Sequence, residues 1–241
     1  MLKNFITTTG KRFIEEGITQ AGTVSIDRKM FEAQGPKWHK KDREKGKVPD
    51  NLRNVDTDST WGKSKYRGWV QGYGMDLVVT AVAPPYVPIW AEGNDLTFHE
   101  NKAAQHFASH IPEQTRYVLG DEGYDDKKLR EAVDIKRGHG YSRRLVVPME
   151  QFPNTTEVRL PHIQFYKSKK GKNIYRARKI SVEPAFDIIN GLFDLEPVWM
   201  KGKKNVFPLL LLSVSTCLVM MYFNHVNCRP VSNLKHILAG C

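Results

Sequence analysis

Cysteine is scarce in this chain and poorly placed for a scaffold. The three present, Cys217, Cys228 and Cys241, fall within the last 25 residues and form no C-x-x-C pair. An odd number without metal-ligand spacing excludes a disulfide framework and a zinc site, and fits a reducing cytoplasm. His225 and Cys228 have ligand-like spacing, but no second pair accompanies them. The opening, MLKNFITTTGKRFIEEG, has charges but no apolar stretch, so it does not read as a secretory leader. No internal repeat, low-complexity tract or domain boundary stands out. Acidic residues are also in deficit: 37 Lys and Arg against 26 Asp and Glu give a net charge of +11. That excess points to a polyanionic partner, either nucleic acid or an anionic membrane surface.

Long apolar runs are missing with one exception. VFPLLLLSVSTCLVMMYF (206–223) has 18 uncharged residues behind Lys201, Lys203 and Lys204. Its length and basic flank suit a membrane span, whereas Pro208, Ser213, Ser215 and Thr216 dilute it towards a buried core helix.

What the chain does have is a mixed pattern over 241 residues, 40% of them apolar. TVSID (23–27) alternates as a short strand ending in an acid. Residues 28–67 read as irregular and basic, and KWHKKDREKGKVPDNLR (37–53) within them as a solvated or phosphate-contacting loop. MDLVVTAVA (75–83) and Tyr86 to Ala91 suggest two strands joined at the Pro84-Pro85 turn. Thr97 and Glu100 suit a capping box ahead of a helix carrying Ala103, Ala104, Phe107, Ala108 and Ile111. RYVLG (116–120) is a strand delivering Asp121, Asp125 is placed to cap a helix with Leu129, Ala132 and Val133, and RLVVP (144–148) is another strand. Residues 150–174 look turn-rich, and Ser181 is expected to cap a helix through Phe186, Ile189 and Phe193. Strands followed by alternating helix and strand define a mixed-sheet α/β domain flanked by helices.

Three acids stand apart. Asp27 and Asp121 each end a predicted strand, and Glu183 falls in the first turn of a predicted helix. Glu183 also follows the most basic stretch, Lys167 to Lys179, with seven Lys or Arg and no acid. Acids at strand ends and at a helix start converge on one sheet edge, where such folds place their sites. Three carboxylates without His or Cys suit Mg²⁺ or Mn²⁺, and two such ions can drive phosphodiester displacement. Each acid also has a plain structural reading. Asp121 can cap a turn in GDEGYDD, and Glu183 can complement a helix dipole. Asp56 and Asp58 compete with Asp27 for the first position. Trp61, Trp69 and Tyr73 read either as packing or as stacking on an unpaired base, and His39 beside Trp38 as a DNA contact or a solvated loop.

Four stretches carry a family resemblance: SIDRKMFEAQGPKWHKKD (25–42), DTDSTWGKSKYRGWVQGYGMDLVV (56–79), YVLGDEGYDDKKLR (117–130) and YRARKISVEPAFDIINGLF (175–193). Together they resemble the DDE transposases of prokaryotic insertion sequences, in the group with a Tyr-Arg-Glu-Lys signature. The match runs from about residue 23 to residue 225, with 93 residues between Asp27 and Asp121 and 61 between Asp121 and Glu183. The resemblance implies an RNase H-like catalytic core over 23–225, after a short remnant (1–22) and before a tail (226–241). Asp27, Asp121 and Glu183 would be its Mg²⁺-binding triad, with Mn²⁺ as substitute and Asp27 bridging two ions. Water would cut double-stranded DNA at the element's ends, and the freed 3′-hydroxyl would attack target DNA. Tyr175 and Arg178 would hold phosphates beside the cut, helped by Lys169, Lys170, Lys172 and Lys179. The run 206–223 resembles the apolar helix that closes the core, so no membrane partner is expected. A homodimer pairing two ends, in a prokaryotic cytoplasm at the nucleoid, follows from the same likeness.

The sequence also departs from the pattern. Lys179, not Arg178, has the family's three-residue spacing to Glu183, and Asn190 stands where a Lys is expected. Only 26 residues precede Asp27 where the family has a helical end-binding region. A truncated copy is therefore expected, and an inactive DNA-binding fragment is the alternative to an active enzyme.

Overall fold

A computed structural model describes residues 1–241 apart from 47, 49, 51, 139, 154, 236 and 238–241, and apart from the Lys40 side chain. Cys241 and parts of the 37–53 loop and the C-terminal tail thus lie outside the described residues. In chain order the elements are α1 (Leu2–Glu15), β1 (Thr23–Glu32), α2 (Lys40–Glu44), β2 (Thr60–Ser64), β3 (Gly68–Thr80) and β4 (Pro88–Asp95). There follow α3 (Glu100–Ala108), β5 (Tyr117–Leu119), α4 (Lys127–Val133), β6 (Ile135–Arg137), β7 (Gly140–Val146), α5 (Leu160–Lys167), α6 (Lys169–Phe193) and α7 (Lys203–Val226).

The strands form one seven-stranded mixed sheet. β1 pairs antiparallel with β3, and β2 and β4 lie end to end along the other edge of β3. On its other side β1 pairs in parallel with β5, and β5 with β7. Antiparallel strands first, then parallel strands added through helices, is the RNase H-like arrangement expected above. Alternation along β1 divides its side chains between two layers. Val24 and Ile26 join a core with Ala103, Ala104 and Phe107 of α3 and Leu129 and Val133 of α4. Ser25, Asp27 and Phe31 face the other way. Phe31 there joins a second core built from α1, α6 and α7.

The apolar run forms α7, which packs against α1 and β4 and buries Val206, Leu210, Val214, Cys217, Leu218 and Met221. It is long and apolar enough to cross a membrane, and just over half of its most apolar stretch is buried inside the protein. Its first turn is anchored from outside the helix. Asp58 Oδ2 accepts from the Lys203 N–H at 3.0 Å, and Asp56 accepts from the Gly202 N–H and, at 2.7 Å, from the buried Tyr73 hydroxyl. Asp56 and Asp58 thus have structural partners, and Tyr73 is core.

Several local expectations are corrected. β1 continues five residues beyond Asp27, and α2 and β2 interrupt the stretch read as irregular. Residues 150–174 contain α5 and the start of α6. Gly171 hid this helix, yet a side chain there would strike the Phe165 carbonyl, so it is the residue that lets α5 and α6 meet. The cap of α6 is Ser168, accepting from the Gly171 N–H at 3.0 Å, and Ser181 lies mid-helix, bonding back to the Ala177 carbonyl at 2.7 Å. Thr97 and Glu100 make no capping box: His99 precedes α3 without a side-chain cap. Asp126, not Asp125, caps α4 through the Leu129 N–H at 2.8 Å, and Ala132 is exposed.

At the N-terminus α1 crosses β4 at Gly10, where a β-carbon would lie 2.7 Å from the Ile89 Cα. Gly10→Val is therefore expected to lift α1 off the sheet and cost about 1–3 kcal/mol, read as a lower urea midpoint. An unchanged midpoint would show that α1 does not depend on this contact.

Candidate active site

Register brings the first two acids together. The last parallel pair between β1 and β5 is Ser25 with Leu119. Asp27 and Asp121 each lie two residues further on, so they come abreast where β5 has ended and β1 continues. Asp27 is therefore mid-strand rather than at a strand end, but it is still where the parallel sheet opens. Asp121 divides its oxygens. Oδ1 accepts from the Gly123 N–H at 2.9 Å, capping a 3-10 turn over Glu122–Tyr124, and Oδ2 faces the site. The turn-capping reading and the site reading hold for the same side chain.

The third acid comes from α6. This helix crosses β1 where two small buried residues meet, the Ser181 and Ser25 hydroxyl oxygens 3.0 Å apart. Glu183 lies two residues beyond that crossing, in mid-helix, so it does not complement a helix N-terminus. Arg178 lies on the buried side of α6, one turn before the crossing, with its side chain only 13% exposed. Its guanidinium reaches all three acids: Asp27 Oδ2 at 2.7 Å, Glu183 Oε1 at 3.6 Å and Asp121 Oδ2 at 4.0 Å. Burial pushes the Asp27 carboxyl up to about 6, against the pull of Arg178 and with help from Asp121. Burial likewise pushes the nearby Tyr175 hydroxyl up to about 12. Among the described residues no three His, Cys, Asp or Glu side chains stand in a ready-made metal-binding arrangement. The three carboxylates instead converge on the chain's own cation.

The remaining predicted residues lie at increasing distance from this centre. Lys172, Lys179, Glu183 and Asn190 follow one another at seven, four and seven residues and so share one stripe of α6. Lys179 is exposed and has no ion pair with the triad, whereas Arg178 does. Asn190 has a buried Oδ1 without a hydrogen-bond partner. Lys169, Lys170 and Lys172 are exposed in the first turn of α6, about 9–14 Å along the helix from Arg178. Lys170 points off the stripe. His225 and Cys228 are both exposed and belong to no metal-binding group among the described residues.

Sequence reasoning missed the other side of the sheet edge. Arg28, next to Asp27 but facing the α3 layer, forms a buried pair with Asp76 (2.9 and 2.7 Å) and donates to the Phe98 carbonyl. Glu100 opens α3 beside this pair, and burial together with Asp121 pushes its carboxyl up to about 7. The capping-box pattern concealed it, and no local signal distinguishes the two roles. A cleft of about 800 Å³ opens from Glu100, lined by Arg28, Trp61, Trp69, Phe98 and His99. Trp61 donates its indole N–H to the Trp38 carbonyl at 2.8 Å, and Trp69 is 56% exposed.

No curated protein matches the chain. The cryo-EM structure of the piggyBac transposase synaptic complex with hairpin DNA is similar with a TM-score of 0.44 and 8% sequence identity. The alignment covers 99% of this chain and 56% of that one, so this chain spans little more than half of its length. The family model of the transposase DDE domain matches residues 19–219, a span that holds Asp27, Asp121, Glu183 and Arg178. The chain belongs to the transposase DDE domain family.

Proposed function

We propose that this chain is the catalytic core of a DNA transposase that cleaves phosphodiesters and joins strands with Mg²⁺, or Mn²⁺ in its place, held by Asp27, Asp121 and Glu183. The observation that supports the reading is the contact of one guanidinium with all three carboxylates. Oxygen-only donors suit hard divalent cations, and the space between these donors accommodates a positive charge of the chain's own. When bound, such ions would activate the attacking oxygen and stabilise the leaving one.

The chain's own residues do the rest. Asp27, the most buried of the three, would be the carboxylate shared between the cations. Asp121 is fixed by its bond to the Gly123 N–H, which leaves Oδ2 for the site. Arg178 and Tyr175 are the groups nearest the triad that can bind phosphate oxygens, and Arg178 does so as it releases Asp27. Lys172 and Lys179 continue that positive track along α6, and Lys169 and Lys170 meet the DNA further out. The reaction is hydrolysis at an element end, followed by in-line attack of the freed 3′-hydroxyl on target DNA.

The catalytic core is read over 23–225, in the Tyr-Arg-Glu-Lys group of prokaryotic insertion sequences. It acts as a homodimer on paired element ends at the nucleoid, without a membrane partner. The order Tyr175, Arg178, Glu183 and the net charge of +11 support this. One observation favours a second reading, a remnant that binds DNA without cutting it. The buried, unpartnered Asn190 Oδ1 stands where the family pattern has a cation.

Supercoiled-plasmid nicking in Mg²⁺ or Mn²⁺ separates the two readings. Asp27→Asn, Asp121→Asn and Glu183→Gln are each expected to lower it by roughly 10³-fold or more, with unfolding temperatures near that of the parent chain. Full nicking by one variant removes that residue from the triad, and DNA binding without nicking by the parent chain establishes the remnant. Replacing Lys169, Lys170 and Lys172 together by Ala is expected to reduce the slope of log affinity against log salt by up to about three. An unchanged slope would place DNA elsewhere.

The pH dependence follows from Asp27. Its carboxyl titrates higher in the folded than in the unfolded chain, so its favourable contribution is complete below about pH 4 and is lost as pH rises through about 6. In chelator, Asp27→Asn should therefore gain stability relative to the parent between pH 4 and 7, by on the order of 2 kcal/mol. Urea unfolding at both pH values checks this, and a constant difference would mean that Asp27 is not held in an unfavourable charged state.

A further inference from the structure

Glu100 is a carboxylate without an ion pair, on which Arg28 acts only through its field. Among the described residues no hydrogen bond or ion pair reaches it. Arg28, the cation that acts on it, is committed to Asp76 and to the Phe98 carbonyl. Glu100 also faces a like charge at close quarters. A β-carbon on Gly123 would overlap Glu100 Oε1 and lie 3.1 Å from Asp121 Oδ1, so the two carboxylates flank the same bare stretch of backbone. Beside them the Tyr124 ring is fully buried, within the field of Asp76, Glu100 and Asp27, and its hydroxyl has no partner. The Tyr124 hydroxyl and the Glu100 carboxylate lack partners beside Asp121, whose own partners are the Gly123 N–H and Arg178, so the cluster is rich in oxygen and short of positive charge.

The contrast with the other face of the sheet is direct. There, α6 brings Glu183 to Asp27 and Asp121 together with Arg178, which compensates all three. On this face, α3 brings Glu100 to Asp121 without a cation of its own. We infer that Glu100 is a fourth carboxylate of the cation site, sharing with Asp121 a divalent ion on the α3 side of the sheet edge. This rests on the metal-dependent reading above and adds to it a ligand outside the Asp27, Asp121, Glu183 set. It also assigns the two faces different parts. The α6 side holds an exchangeable guanidinium, and the α3 side is open to a cation from solvent through the adjoining cleft.

The test measures cation binding rather than turnover. The full chain, Glu100→Gln and Asp121→Asn are each titrated with Mg²⁺ and Mn²⁺, reading the unfolding temperature and the heat of binding. The inference expects Glu100→Gln to need about tenfold more cation or higher for half-saturation. It also expects the cation-free unfolding temperature of this variant to match or exceed that of the parent, because two facing charges no longer repel. A residue with a merely structural role would lower that temperature. If Glu100→Gln fails to fold, Glu100→Asp, which keeps the charge but withdraws the oxygens, is judged by the same half-saturation. Weakened binding in Asp121→Asn with parental binding in the Glu100 variant overturns the inference and leaves the triad standing. Parental binding in both variants overturns the metal reading itself, and the inference with it.

Discussion

The site depends on how charge is balanced where several carboxylates meet. Three of them crowd a partly buried sheet edge, and in that setting like charges repel strongly unless a cation stands among them. Arg178 is that cation. It reaches the cluster from the buried side of α6, so its long stem is packed and its guanidinium has few other directions to take. Without it, Asp27 would be a buried anion facing Asp121 with only the Arg28 backbone N–H to stabilise it. The same contact that keeps the cluster together also fills the space between the three carboxylates. On the proposed function, release of Arg178 from Asp27 would free a donor for phosphate as it frees the acids.

The sheet makes that arrangement possible. β1 is the hinge strand: antiparallel to β3 on one side, parallel to β5 on the other, and longer than β5 by a wide margin. Where β5 stops, β1 continues paired with β3 alone, and the groups just past the last β1–β5 pair stand side by side. The alternation of β1 then distributes them. Asp27 turns to α6 and Arg28 to α3, so neighbouring residues begin two separate charge networks on opposite faces. Small residues set the approach of α6, because Ser25 and Ser181 leave room for the helix to come close enough for Arg178 and Glu183 to reach the edge.

Much of this was legible in the sequence. β-Branched runs gave the strands, and the apolar run 206–223 read as a core helix because Pro208 and its hydroxyls weakened the membrane alternative. Predicted places at two strand ends and a helix start made Asp27, Asp121 and Glu183 stand out, and the family resemblance joined them, although Asp27 and Glu183 lie within their elements rather than at the ends. What stayed hidden was set by tertiary contacts. Ser181 looks like a helix cap, but its partner is another serine 156 residues away in sequence. Gly171 looks like a turn and is a contact point between two helices. Glu100 follows Thr97 at capping-box spacing, yet the chain turns it towards Asp121. Spacing from Tyr175 pointed to Arg178 and spacing to Glu183 pointed to Lys179, and in the structure it is Arg178 that contacts the acids. A one-residue slip moves a side chain about 100° around a helix, and only Arg178 lies on the buried side.

The two networks at the sheet edge differ in a way that bears on order of events. On the α6 face, positive charge is already built in, and that side is stable without any ligand. On the α3 face, Arg28 is tied to Asp76 and does not reach Glu100 by an ion pair, so that side gains most from an added cation. A cation arriving from solvent meets least resistance where no guanidinium must be displaced. If Glu100 and Asp121 hold a cation as proposed, the pull of Asp121 on Arg178 would weaken, and the α6 side would become easier to open. Loading would then proceed from the α3 face to the α6 face, with Asp121 as the group common to both.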